Sequence, residues 1–135
     1  DATSCLPSDP ERWTTSVALA DLNGDTWPDI YAANYLEGPD LFERLCQHKD
    51  GVARMCAPFD FPGSQDQFLL NQGDGTFRDA TSEAGFMVPH GKGLGVLVAD
   101  FEHRGRVDVF VANDLVPNFY FSNQTAERGA APRFE

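Results

Sequence analysis

The sequence has no apolar run of about 18 residues, which a transmembrane helix would need, and no basic-then-apolar secretory leader. It begins with Asp1 rather than Met, so we expect a processed or excised segment of a longer chain. Cationic residues are few: 10 Lys and Arg stand against 21 Asp and Glu, a formal net charge of -11. We therefore expect no nucleic-acid partner and no membrane insertion. The net negative charge favours the binding of cations, although an excess of carboxylates can also serve only to keep a protein soluble.

Cysteine is also scarce. Cys5, Cys46 and Cys56 are too few for a disulfide scaffold and lack the close pairing of a zinc site. Cys46 and Cys56 could close a loop of about ten residues, which would stabilise the fold by roughly 3 kcal/mol. The sequence does not decide whether this disulfide forms. It also does not decide whether Cys5 is free or bonds to a residue outside the segment.

Short segments typical of β-strands occur twice in the same order, and no long amphipathic helix is indicated. The first copy has residues 17–21, 29–34, 68–71 and 75–77, and the second has 96–100, 108–113, 119–123 and Phe134. Asp100 lies 79 positions after Asp21, which exceeds a propeller blade of roughly 40 to 50 residues. An insertion at about 36–65 explains the excess.

The fold class predicted from this repeat is all-β, with two four-stranded antiparallel blades of a partial β-propeller. We expect a first blade at 14–81, interrupted by the insertion, and a second blade at 93–135. Two blades cannot close a propeller, which has about four to eight, so the rest of a longer chain or self-association is needed.

An Asp-rich loop at residues 21–29 carries the strongest chemical signal. Asp21, Asn23, Asp25 and Asp29 occupy positions 1, 3, 5 and 9, and Trp27 at position 7 is expected to supply its main-chain carbonyl. Calcium takes six to eight oxygens at about 2.3 to 2.6 Å, and closely spaced carboxylates repel one another without a cation. Oxygen ligands in this number favour Ca²⁺ over zinc, copper or magnesium.

This loop has two other possible interpretations. Asp, Asn and Gly are ordinary turn residues, so a plain surface turn is the alternative. An EF-hand is disfavoured because position 6 is Thr26 rather than Gly, position 12 is Ala32 rather than Glu, and Pro28 stands where a helix would begin.

The chain resembles the FG-GAP or VCBS repeats of integrin-α-like β-propellers, and in particular proteins akin to cartilage acidic protein. The resemblance is carried by ADLNGDTWPDIY at 20–31, LNQGDGTF at 70–77, GLGVLVAD at 93–100 and VAND at 111–114. It implies a propeller blade with calcium between its first two strands. It also implies an extracellular, cell-surface or periplasmic location and a role in binding or scaffolding rather than catalysis.

The second copy departs from this pattern. Asp100, Glu102 and Asp108 match positions 1, 3 and 9, but position 5 is Arg104, whose guanidinium cannot ligate a cation. We expect a degenerate loop without an ion, in which Arg104 folds over Asp100 and Asp108 as a tethered cation.

Enzyme signals are weak. The glycines of 91–95 precede a strand, whereas nucleotide-binding loops follow one, so close backbone packing is the better explanation. His48, His90 and His103 are scattered singly, and 123–125 form an N-glycosylation sequon that has meaning only in a glycosylating source.

We expect no catalytic residues and a calcium-binding, non-enzymatic segment for extracellular binding, adhesion or scaffolding. The alternative is a propeller segment of a secreted hydrolase or lyase.

The binding partner, a protein or a polysaccharide, is not specified by the sequence. Insertion loops on one face of repeat proteins commonly carry specificity, so the insertion at 36–65 is the expected contact surface.

Overall fold

The computed structural model describes residues 12–135, and Cys5 lies outside this range. The described chain is all-β, and its single helical element is a 3₁₀ turn at Pro58–Asp60. The nine strands are β1 Arg12–Ala20, β2 Asp29–Glu37, β3 Leu45–Gln47, β4 Ala53–Met55, β5 Gln67–Asn71, β6 Phe77–Asp79, β7 Gly93–Ala99, β8 Asp108–Asn113 and β9 Phe119–Phe121.

The first copy forms a four-stranded antiparallel sheet in the order β1-β2-β5-β6. The chain reverses between β5 and β6 in a tight hairpin: the Gln72 N–H donates 3.0 Å to the Thr76 carbonyl, and Gly73 and Gly75 adopt the positive φ that the tight turn requires.

The second copy forms an antiparallel sheet of three strands, β7-β8-β9, rather than the four expected. Residues 133–135 run beside the end of β9 but make only an isolated bridge, between Asn123 and Phe134. The Ser122 N–H donates to the Glu135 carbonyl at 2.8 Å, and the Glu135 N–H donates back to the Ser122 carbonyl at 3.1 Å. Phe134 thus lies where the fourth strand was predicted, without a continuous ladder.

The insertion runs from the end of β2 to the start of β5. Its β3 and β4 pair with each other as a separate two-stranded sheet, and the Cys46–Cys56 disulfide closes the hairpin with its Cα atoms 4.9 Å apart. This resolves the bridge that the sequence left open. A small apolar cluster of Tyr35, Leu36, Leu41 and Phe61 holds the insertion against the end of β2.

The main core lies between the two sheets and is rich in aromatic rings. Phe86, in the connection between the copies, packs with ring centroids 4.4 to 5.2 Å from Phe134, Phe121, Tyr31 and Phe68. The glycine-rich entry to β7 makes the predicted close approach, because a Cβ at Gly93 would lie 3.1 Å from the Ala33 side chain. β1 packs beside β7, and the loops that follow these two strands line one cleft, so they lie at the same end of the two sheets.

Candidate metal centre

The first Asp-rich loop connects β1 to β2, as the sequence predicted. Asp21 organises it: Oδ1 accepts the N–H groups of Gly24 at 2.7 Å and Asp25 at 3.0 Å, and Oδ2 accepts that of Thr26 at 2.8 Å. The backbone curls around this carboxylate because Gly24 and Thr26 both have positive φ, 81° and 79°. Only glycine adopts such angles freely, so Thr26 is held under strain.

Asn23 and Asp25 lie side by side in the same curl. The Asn23 side chain accepts the Asp25 N–H at 3.1 Å and donates 3.0 Å to Asp25 Oδ2, while Asp25 Oδ1 accepts the Trp27 N–H at 2.8 Å. The indole of Trp27 rests against Gly73 of the β5–β6 turn, where a Cβ would lie 3.1 Å from its nitrogen. The hydrogen bonds among Asn23, Asp25 and Trp27 are local ones, of the kind that alternate polar side chains make in a tight loop.

Asp29 closes the loop and is fully buried. Its carboxylate accepts the N–H groups of Leu22 at 2.9 Å and Asn71 at 3.0 Å. Burial raises the pKa of Asp29 to about 6, and the charges of Asp25 and Asp21 add to the rise, although the two N–H donors oppose it. No ion pair reaches any of these three carboxylates within residues 12–135.

This donor set fits a hard cation. Three carboxylates, one amide oxygen and one main-chain carbonyl stand within nine residues, and the innermost carboxylate is buried without a countercharge. Burying an unpaired carboxylate is costly, and a bound Ca²⁺ would remove that cost by direct coordination. The structure places the predicted ligand residues Asp21, Asn23, Asp25, Trp27 and Asp29 in the connection from β1 to β2, with Asp29 as the first residue of β2.

Residues that the sequence did not assign to the site hold the loop in place. Asn71 donates its backbone N–H to Asp29 and its side-chain amide to the Pro28 carbonyl at 3.0 Å. Asn123, at the equivalent point after β9, donates 2.8 Å to the Leu22 carbonyl. The sequence does contain a signal, because Asn71 ends the third strand of the first copy and Asn123 follows that of the second by two residues. That signal does not show which atoms each Asn contacts.

The second Asp-rich loop connects β7 to β8. Asp108 is fully buried like Asp29, whereas Asp100 and Glu102 are nearer the surface. Hydrogen bonds from the N–H groups of Arg104 and Gly105 lower the pKa of Asp100. The Arg104 side chain pairs with Glu102 and Asp108 rather than with the predicted pair of Asp100 and Asp108, and Asp100 instead accepts the backbone N–H groups of Arg104 and Gly105.

A cleft of about 630 Å³ separates the two loops, and residues of both line it together with the segment that follows Asn123. Away from the cleft, the side chains of Cys46, Cys56 and Asp60 also converge. Both sulfurs are joined in the disulfide, so they offer no thiolate to a metal.

Comparison with known proteins shows a repeat in the first copy. The FG-GAP repeat family model matches residues 13–45, which include β1, the first loop and β2. Cartilage acidic protein 1 of Homo sapiens is 51% identical over 43 residues, covering 32% of this chain and 6% of that protein. Its Mus musculus counterpart is 49% identical over 56 residues, covering 42% and 9%. The matched regions therefore span less than a tenth of these relatives.

Proposed function

We propose that this chain, which contains an FG-GAP repeat, binds Ca²⁺ in its first Asp-rich loop and serves as a non-enzymatic scaffold for extracellular binding or adhesion. The observation that carries the proposal is the buried Asp29 carboxylate, which lies beside Asp21 and Asp25 with no cationic side chain paired to it in the described part of the chain. The ligands would be Asp21, Asn23, Asp25, the Trp27 carbonyl and Asp29.

In this proposal the ion stabilises the fold rather than supplying chemistry. Ca²⁺ would neutralise the three carboxylates and fix the link between β1 and β2. Because Asp29 also accepts the Asn71 N–H, fixing the loop also fixes the end of β5. Calcium would thus brace three of the four strands of the first sheet.

The setting proposed is outside the cytoplasm. The Cys46–Cys56 disulfide suits an oxidising compartment, and within residues 12–135 no helix is long and apolar enough to cross a bilayer. We propose residues 14–81 as a first propeller blade, carrying the disulfide-closed insertion, and 93–135 as a second blade. Further repeats or other copies of the chain would complete the propeller.

The insertion is the proposed contact surface for a protein or polysaccharide partner. Its β3–β4 hairpin pairs with neither of the two larger sheets, and the insertion exposes several large apolar side chains, namely Phe42, Leu45, Val52, Met55 and Phe59. Exposed apolar side chains grouped on one element are typical of interaction sites.

Calcium titration by calorimetry, together with thermal unfolding in calcium and in EDTA, tests the metal assignment. Free calcium at 100 times its dissociation constant is expected to stabilise the fold by about 2.7 kcal/mol and to raise Tm by roughly 10 °C. Asp25→Ala should abolish binding, whereas Asp40→Ala, at an exposed carboxylate in the insertion, should not. Unchanged calcium binding by Asp25→Ala would contradict the assignment, and turnover on saccharide or ester panels would contradict the non-enzymatic role.

A further inference from the structure

The backbone of the second loop repeats that of the first almost bond for bond. In both loops the first Asp accepts the N–H groups of positions 5 and 6, and the last Asp accepts those of position 2 and of the Asn near the end of the third strand. In the second loop these bonds are Arg104 N to Asp100 Oδ1 at 2.8 Å, Gly105 N to Asp100 Oδ2 at 2.7 Å, Phe101 N to Asp108 Oδ2 at 3.2 Å and Asn123 N to Asp108 Oδ1 at 2.8 Å. The two positive-φ positions also correspond, with His103 at 55° and Gly105 at 73°.

What differs is the side chain at position 5. Where the first loop has Asp25, the second has Arg104, whose guanidinium lies among the loop's acidic groups. Its Nε is 2.9 Å from Glu102 Oε2, and its Nη2 is 3.2 Å from Asp108 Oδ1. The buried Asp108 thus has a cationic partner that the equally buried Asp29 lacks in the described chain.

Two further differences between the copies accompany Arg104. The strand registers place Ser122 at the position of Leu70 in the first copy, and Tyr120 at the position of Phe68. Ser122 Oγ accepts a 2.7 Å hydrogen bond from Arg104 Nη2. The Tyr120 hydroxyl lies 3.1 Å from Glu102 Oε1 and 3.2 Å from Asp108 Oδ2, so it can donate to either carboxylate.

Both changes replace an apolar side chain with one that bears a hydroxyl facing the loop. Ser122 gives the guanidinium a neutral acceptor, and Tyr120 gives the carboxylates a further donor. In the first copy Phe68 and Leu70 are buried in the apolar core instead. Three positions of the second copy therefore differ in a mutually consistent way.

We infer that the Arg104 guanidinium is the resident cation of the second loop and occupies the role that the proposed function gives to Ca²⁺ in the first. The second loop is closed by a side chain at all calcium concentrations, while the first depends on free calcium. The chain accordingly binds one Ca²⁺, and the identity of position 5 decides which loop takes the ion.

Arg104→Asp is the direct test, because it restores the acidic residue of the first loop at position 5. Calorimetry and native mass spectrometry should show one bound Ca²⁺ for the wild type and two for Arg104→Asp. Arg106→Asp, two positions along the same loop, makes the same charge change and should still bind one. If Arg104→Asp does not fold, Arg104→Asn supplies an oxygen ligand with one charge fewer.

A second measurement tests the role of Arg104 in the absence of calcium. In EDTA, Arg104→Gln should lower Tm by roughly 5 °C because it leaves the buried Asp108 without its cation, whereas Arg106→Gln should change Tm little. Two ions on the wild type, or equal Tm values for the two Gln variants, would overturn the inference. A wild type that binds no calcium while Arg104→Gln alone is destabilised would overturn the proposed function and leave the Arg104 assignment standing.

Discussion

The side-chain amide of Asn123 donates a 2.8 Å hydrogen bond to the main-chain carbonyl of Leu22, which lies 101 residues earlier in the chain. The same amide donates 2.9 Å to the carbonyl of Val107. Leu22 belongs to the first Asp-rich loop and Val107 to the second, so one side chain, 2% exposed, joins the two. Together with the bond from the Gly129 N–H to the Asn23 carbonyl at 2.9 Å, it makes the first loop depend on the second copy.

Replacing Asn123 with Asp should therefore destabilise the fold and weaken calcium binding. The change keeps the size of the side chain but removes both N–H donors and buries a carboxylate beside two carbonyls. We expect a loss of about 3 kcal/mol in the free energy of unfolding, measured by urea titration. Gln47→Glu, an exposed amide-to-acid change in the insertion hairpin, is the control and should cost less than about 0.5 kcal/mol. Equal losses in the two variants would show that added charge alone is responsible.

The sequon at residues 123–125 should carry no glycan in the folded protein. Both hydrogens of the Asn123 side-chain nitrogen are used in buried hydrogen bonds, and a sugar on that nitrogen would break at least one of them. After secretion from a glycosylating host, the intact mass of the folded fraction should not change on treatment with an N-glycosidase. A mass decrease assigned to Asn123 would show that the loop link can be opened.

Asp66 should make stability depend on pH. Burial raises its pKa to about 6, although the Asn34 N–H at 2.7 Å and the Tyr31 hydroxyl at 2.9 Å oppose the rise. The pKa of Asp66 in the folded protein lies above its ordinary value of 3.8. The stability that its protonated carboxyl contributes is therefore fully present below about pH 3.8 and is lost as the pH rises through about 6.

Asp66→Asn removes this titration. Its free energy of unfolding relative to the wild type should therefore increase between pH 4 and pH 7, by up to about 3 kcal/mol for a shift of roughly two pKa units. Urea titrations at several pH values measure the difference. An Asp66→Asn variant that keeps a constant offset from the wild type over this pH range would contradict the assignment.

The two Asp-rich loops could be located from the sequence because their signal is local. Asp21, Asn23, Asp25 and Asp29 alternate within nine residues, and their main contacts in the structure are with the backbone of the same loop. Arg104 also stood out, since it alone breaks the pattern at position 5. The all-β class followed from short β-branched and aromatic segments separated by turn residues.

Long-range partners were not predictable in the same way. Nothing local indicates that Asn123 reaches Leu22, or that Ser122 and Tyr120 complete the Arg104 cluster, because these contacts depend on strand register and on how the sheets pack. The fourth strand of the second copy was overestimated for a related reason. Phe134 is core-facing as a strand residue would be, but only a few residues around it pair with the sheet edge.

Thr26 provides the last test, because it holds a backbone conformation that its residue type disfavours. Its φ of 79° matches the 73° of Gly105, its equivalent in the second loop, so the fold imposes this geometry on both copies whatever the side chain. Thr26→Asn should stabilise the calcium-free protein by about 1 kcal/mol, because Asn tolerates the left-handed region better than a β-branched residue. Gly105→Thr should cost a similar amount. A Cβ at Gly105 would meet nothing within 4 Å, so that cost would come from the backbone alone rather than from a clash. Urea titration in EDTA measures both changes, and a neutral Gly105→Thr would mean that the loops tolerate the strained angle without energetic consequence.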